Sequence, residues 1–268
     1  MFNLIDIGVN LMSPAFNRDR DAVLARAKSS GVQTLIITGS SIEDSVAACN
    51  FAKTHPDCAA TAGVHPHNAK VWDKPALAGL SELFLNDRTI AAVGECGLDY
   101  NRNFSPADAQ RKCFEEQLAL AVQIGKPVFL HERDAFGDFV SILKKYRAGL
   151  PGAVVHCFTG SVAELEAYLS LDCYIGITGW ICDERRGAHL VPLLKQIPAG
   201  RLLLETDAPY LLPRNLPPAL RKKSGRNEPC FLPHIAAYAA AITDKTPEQL
   251  AAETTANAQR LFTLSLRV

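Results

Sequence analysis

Neither sign of charge is in excess: Lys and Arg together number 28, and so do Asp and Glu. That balance argues against indiscriminate, whole-surface binding to nucleic acid or anionic lipid, and leaves a local basic patch as the remaining route to a polyanion. No window approaches the roughly 18 uninterrupted apolar residues of a membrane span, so a soluble protein with no membrane partner is expected. The opening MFNLIDIGVN has no basic region ahead of an apolar stretch, so no signal peptide is expected either. The eight cysteines (Cys49, Cys58, Cys96, Cys113, Cys157, Cys173, Cys182, Cys230) contain no C-x-x-C pair and no compact disulfide framework. Several fall inside strand- or helix-like runs, where a thiol behaves as a small hydrophobe, and a reduced, cytoplasmic setting is the expectation. No G-x-G-x-x-G follows the first apolar run, which argues against a dinucleotide fold. No repeat, low-complexity tract or linker divides the chain, so one domain over residues 1–268 is expected.

What the chain does have is recurring apolar runs: NLIDIG, TLIITG, AATAGV, IAAVGE, PVFLH, GAVVH, YIGIT and RLLLET. Each is followed by residues at helical spacing with readable ends. Ser105-Pro106 reads as an N-cap followed by Pro at the first helical position, and Gly125 closes that helix. Ser161 with Glu164, and Thr246 with Gln249, read as capping boxes, and Gly31 falls just past the first helix. Strands alternating with helices imply a parallel sheet covered on both faces, which accounts for runs that are apolar almost throughout. Eight such units in about 250 residues predict an α/β fold of the (β/α)8 TIM-barrel kind, with an open doubly wound sheet as the alternative.

In such a barrel the carboxyl ends of the strands meet at one mouth, where chemistry is placed. Those ends carry Asp6 and Asn10, His65 and His67, Glu95 and Asp99, His131, His156 and Asp207. Each has a bland reading alone, as a capped or hydrogen-bonded strand end. Together, imidazoles and carboxylates in one mouth are costly unless something offsets their desolvation and repulsion, and a divalent cation does so. Mixed His and carboxylate ligation suits Zn, Mn or Mg.

The ordered series GVHPH, GECGLDY, HERDA, HCFTG, ETDAPYL, RNEP and NAQRLF, between Asp6 and Phe262, resembles the TatD family of metal-dependent deoxyribonucleases. The resemblance implies a barrel of the amidohydrolase-like metal-dependent hydrolase type and 3′-5′ exonucleolytic hydrolysis of single-stranded DNA. It also implies some activity on RNA and a role in DNA repair or turnover. On this reading Glu95, His131 and His156 hold the metal, Mg2+ first and Mn2+ or Zn2+ as alternatives. Asp207 is the general base and touches the metal, and His65 donates to the phosphate or leaving group. One departure stands out: Gly8 and Asn10 occupy the place of the first-strand H-x-H of most relatives. One firmly held metal is therefore expected, with a second only when substrate is bound.

Substrate grip is expected from PRNLPPALRKKSGRNEP, whose Arg214, Arg221, Lys222, Lys223 and Arg226 would hold a nucleic-acid backbone without reading sequence. His67 and Arg133 are further candidates, and Tyr100, Trp180 and Tyr210 could stack unpaired bases. A monomer is expected. The rival readings are a small-molecule amidohydrolase or lactonase on the same barrel, and a catalytically inactive barrel that binds nucleic acid.

Overall fold

Every apolar run becomes a strand. In the computed structural model, which describes residues 3–221 and 225–264, the strands are β1 (Leu4–Val9), β2 (Val32–Ile37), β3 (Cys58–Ala62), β4 (Ile90–Asp99), β5 (Val128–Arg133), β6 (Ala153–Val155), β7 (Tyr174–Ile177) and β8 (Leu202–Leu204). All neighbours pair in parallel in the order β1 to β8. A bridge between Val9 and Ala208 closes the ring, with Asn10 N–H donating to the Ala208 carbonyl at 2.8 Å and Asp207 N–H to the Gly8 carbonyl at 2.9 Å. The helices are α1 (Arg20–Ser29), α2 (Ile42–Thr54), α3 (Lys74–Asn86), α4 (Ala107–Ile124), α5 (Phe136–Tyr146), α6 (Val162–Ser170), α7 (Leu190–Leu194), α8 (Leu232–Ile242) and α9 (Pro247–Phe262). Among the described residues no helix is long and apolar enough to cross a membrane.

Period-two alternation sorts the strand residues between two cores. Ile5, Ile36, Phe129, Val154 and Leu203 meet inside the barrel, where the end of α9 (Ala258, Leu261, Phe262) plugs the floor. Leu4, Leu35, Ile37, Val128, Leu130, Val155, Leu202 and Leu204 pack outward against the helices. Two residues beyond Phe129 is His131, and two beyond Val154 is His156. The hydrophobic triplet of PVFLHERD thus anchors a strand whose inward face ends in an imidazole.

The capping boxes form as expected, Ser161 with Glu164 on α6 and Thr246 with Gln249 on α9. Gly125 ends α4 in the left-handed region at φ 66°. The start of α4 differs from the expectation. Pro106 is the cap residue rather than the first helical one. The Ser105 hydroxyl is drawn away from the helix: it donates to the His67 carbonyl at 2.9 Å and accepts the Lys70 N–H at 3.0 Å, tying the β3 loop to the β4 loop.

Asp6, expected at the mouth, lies inside β1 and is fully buried. It joins β1 to the segment after β8, accepting the Thr206 N–H at 2.9 Å and the Thr206 hydroxyl at 2.5 Å. Burial is the largest influence on its carboxyl and pushes the pKa up to about 8, against the Thr206 hydrogen bonds, which lower it. A carboxyl that holds its proton more tightly folded than unfolded contributes stability that is complete below its unfolded pKa of about 3.9. That contribution is lost as pH rises towards 8, by at most about 1.4 kcal/mol per pH unit. Asp6→Asn removes the ionisable proton, so its urea-unfolding free energy should fall less steeply than wild type between about pH 5 and 8. Equal slopes would rule out a neutral Asp6.

Candidate active site

Glu95 sits at the centre of the mouth, carried inward by β4 and buried. Three imidazole nitrogens converge on its Oε1: His156 Nε2 at 2.8 Å, His131 Nδ1 at 2.9 Å and His65 Nε2 at 3.3 Å. Burial alone would raise the Glu95 pKa, but the surrounding His65, His156 and His131 hold it well below the ordinary value. Burial likewise disfavours charged His131 and His156. Asp99 and Glu95 outweigh it for the first and Glu95 and Glu205 for the second, so both pKa values are raised.

Such a buried knot of imidazoles around one carboxylate oxygen is a donor set that a divalent cation fits, since it can take lone pairs from all of them at once. The ligand atoms of His65, Glu95 and His131 lie within 4.8 Å of one another. His65 nevertheless differs from the other two rings. Its Nδ1 accepts the backbone N–H of His67 at 3.1 Å. Burial lowers its pKa to about 4, so the ring is neutral at pH 7 and carries its one proton on Nε2. A nitrogen that bears a proton donates and does not ligate. The outer nitrogens of the other rings face carboxylates, His131 Nε2 standing 3.5 Å from Asp99 Oδ2 and His156 Nδ1 3.4 Å from Glu205 Oε2. With a cation in place, those carboxylates would keep the ring protons on the outer nitrogens and leave His131 Nδ1 and His156 Nε2, which otherwise donate to Glu95, as electron-pair donors.

Asp207 follows β8 in the left-handed region at φ 54°. Its Oδ1 accepts the Asn10 amide at 2.8 Å. Asn10, the second residue in the place of the H-x-H, thus commits its NH2 group to aiming Asp207. Burial raises the Asp207 pKa to about 7, with His156 pulling the other way. His67 Nε2 is 2.7 Å from Asp99 Oδ2, with its ring against His65 and Phe104.

Where β5, β6 and β7 end lies a cavity of about 460 Å³ that Glu132 and Val155 line, the chain neighbours of His131 and His156, while none of the clustered residues themselves do. Arg133, Asn101, Phe158, Trp180 and Arg186 line it. Arg133 is exposed, and its neighbour Asp134 accepts from the Asn101 amide at 2.7 Å. Trp180 lies under the Arg186 guanidinium, 4.5 Å from the ring centre. Tyr100 is tied by its hydroxyl to Asp138 at 2.7 Å, and Tyr210 is exposed.

The expected basic loop is only partly available for substrate. Lys222 and Lys223 lie outside the described residues. Arg221 donates to the carbonyls of Leu216 and Arg214, both at 2.8 Å, and Arg214 Nε stands 3.7 Å from Asp183. Arg226 departs from the expectation most. Its guanidinium pairs with Asp19 at 2.7 Å and with fully buried Glu228 at 2.6 Å, and covers the Phe16 ring at 4.8 Å. Arg26 pairs with the same two carboxylates. Arg226→Ala removes one of the two arginines that, among the described residues, pair with buried Glu228, and should cost about 2–4 kcal/mol in chemical denaturation. It should leave the salt dependence of DNA binding unchanged; a flattened salt slope at wild-type stability would return Arg226 to the substrate.

Sequence reasoning placed Asp99 at the mouth without giving it a partner. It passed over Glu205 and Glu132, although Glu205 stands in the quoted ETDAP. Inward alternation two residues past Leu203 was the available signal for Glu205.

A closed parallel barrel with imidazoles and carboxylates at its carboxyl mouth belongs to the amidohydrolase-type TIM barrels, and this class together with the donor set supports a divalent cation. More narrowly, the chain belongs to the TatD family: the family model described as TatD related DNase matches residues 5–263. It is 54% identical over 263 residues to a protein of Edwardsiella piscicida named 3'-5' ssDNA/RNA exonuclease TatD, covering 98% of this chain and 100% of the relative. A Rahnella protein of the same name is 52% identical over 265 residues, covering 98% of this chain and all of the relative. Among solved structures, YJJV, a TatD homologue from Escherichia coli, superposes with a TM-score of 0.90 at 27% identity, covering 98% of this chain and 99% of that one.

Proposed function

We propose that the protein is a divalent-metal-dependent 3′-5′ exonuclease that hydrolyses single-stranded DNA, with RNA as a further substrate and Mg2+ as the working ion. The observation that carries this reading is the convergence of His131 Nδ1 and His156 Nε2 on Glu95 Oε1 at the barrel mouth, with Asp207 beside them. The names of the curated relatives support the substrate and polarity.

Glu95, His131 and His156 would hold the cation. When bound, it supplies neutralisation of the phosphate charge and a lowered pKa for an attacking water. Asp207, held by the Asn10 amide, takes the proton from that water; a pKa near 7 keeps it ready to accept at neutral pH. His65 is neutral, with its Nε2 proton facing the centre, and donates to a phosphoryl oxygen or to the leaving oxygen. The cavity where β5 and β6 end has room for a nucleotide, and Arg133 in its lining meets a phosphate as a positive charge. His67 and Arg214 extend that contact, and Lys222 and Lys223 are proposed to follow the backbone. We place the enzyme in the cytoplasm as a monomer, in DNA repair or turnover, on the strength of the family resemblance.

The deciding assay uses 5′-labelled single-stranded DNA with Mg2+ and with chelator. The reading predicts a ladder shortening from the 3′ end that chelator stops. DNA bound but left intact in Mg2+ would favour an inactive binder. No DNA turnover beside metal-dependent hydrolysis of a lactone or amide would favour the small-molecule reading.

A further inference from the structure

Glu205 has the most unusual surroundings of any carboxylate in the described structure. It follows β8, points inward two residues past Leu203, and is fully buried. Its Oε1 accepts the Cys157 N–H at 2.5 Å. Its Oε2 has no hydrogen-bond partner among the described residues, and the nearby Nδ1 of His156, 3.4 Å away, has none either. A lone buried carboxylate oxygen is costly, so the fold must hold it there for a reason.

The room for it comes from two glycines on the flanking strands. A Cβ at Gly8 on β1 would stand 2.3 Å from Oε2, and one at Gly176 on β7 would stand 2.6 Å from Oε1. Both are far inside contact distance, so a side chain at either position and this pose of Glu205 exclude one another. Gly8 faces inward because the register of β1 against β2 slips between Asp6 and Val9, as a bulge does. It is also the first of the two positions where the resemblance led one to expect a histidine. In this chain a carboxylate from β8 fills the space that a side chain on β1 would take.

We propose that Glu205 is the positioning residue for His156, and that Gly8 is glycine so that Glu205 can reach it. The inference rests on the reading of His156 as a metal ligand. A neutral imidazole that ligates through Nε2 must keep its proton on Nδ1, and a carboxylate, which only accepts, fixes that proton there and strengthens the ligand. A glutamine could turn its amide towards Nδ1 and favour the wrong tautomer. The exchange also keeps the first strand from contributing a side-chain ligand at position 8.

The test is Mn2+ binding to metal-free full-length protein by calorimetry, with circular dichroism confirming that each variant is folded. Glu205→Gln should weaken Mn2+ binding about 10- to 100-fold, the range for losing a ligand's supporting carboxylate. Gly8→Ala, which displaces Glu205 without removing it, should weaken binding in the same direction. The double variant should be no weaker than Glu205→Gln alone, because both changes act through one contact. A purely structural Glu205 would lower the melting temperature and leave the Mn2+ affinity alone, and that result overturns the proposal; so do additive losses. Should Glu205→Gln fail to fold, Gly8→Ala decides by itself. His156→Ala separates the two levels of argument. If it loses Mn2+ while Glu205→Gln and Gly8→Ala keep it, only the role of Glu205 fails; if it binds Mn2+ as wild type does, the ligand reading and this inference fail together.

Discussion

Glu95→Gln, His131→Ala and His156→Ala should each reduce metal-dependent nucleotide release by at least about a thousandfold, equivalent to roughly 4 kcal/mol of barrier. The size follows from the geometry. The two ring nitrogens and the carboxylate share one small volume, and the one further imidazole there, His65, has its Nδ1 engaged by the His67 N–H and faces the centre with a protonated Nε2. Losing one ligand removes charge and direction together, so excess Mg2+ should restore little. The rest of the barrel is untouched by these changes, because the packing residues of β5 and β6 are Phe129 and Val154 rather than the histidines at their ends. Circular dichroism of all three variants should therefore match wild type. Wild-type turnover in any one of them, in Mg2+ and with chelator sensitivity intact, would remove that residue from the site.

Asp207→Asn is the second large effect and should differ in kind. The Asn10 amide loses a charged acceptor, but the three proposed ligands keep their places, so Mn2+ affinity should stay within a few-fold of wild type. The chemical step should slow by about 10²–10⁴-fold, the usual range for removing a general base. The sign of the pH effect follows from the base having to be ionised. Its pKa is raised to about 7 by burial in the metal-free protein, and a bound cation favours the ionised form. The rate of the loaded enzyme should thus rise with pH along a limb centred at or below 7 and level off above it. Asp207→Asn should lack that limb. If the variant loses Mn2+ as completely as His131→Ala does, Asp207 is a ligand first and a base second.

Much of this arrangement was legible in the chain. Eight apolar runs gave the strands because parallel strands buried on both faces need apolar residues almost throughout. His131 and His156 were findable because they continue the inward alternation of Phe129 and Val154. Other features depend on distant partners that no local pattern reveals. Arg226 reads as part of a basic loop until Asp19, more than two hundred residues earlier in the chain, is seen to pair with it. Ser105 resembles a helix cap, yet its hydroxyl bridges two loops. Asp6 resembles a strand-end carboxylate, but it lies within β1, just ahead of a slip in register, and is buried against Thr206. The same slip turns Gly8 inward. The tautomer of His65 depends on a backbone N–H two residues away, which only the fold of GVHPH presents.

The most direct test of the account is a crystal structure of the Mn2+-soaked protein with the ion located by anomalous scattering. The account predicts one strong peak bonded to Glu95, His131 Nδ1 and His156 Nε2, with His65 turned towards it and not bound. A mouth holding only solvent, or an ion bound elsewhere on the barrel, would contradict it.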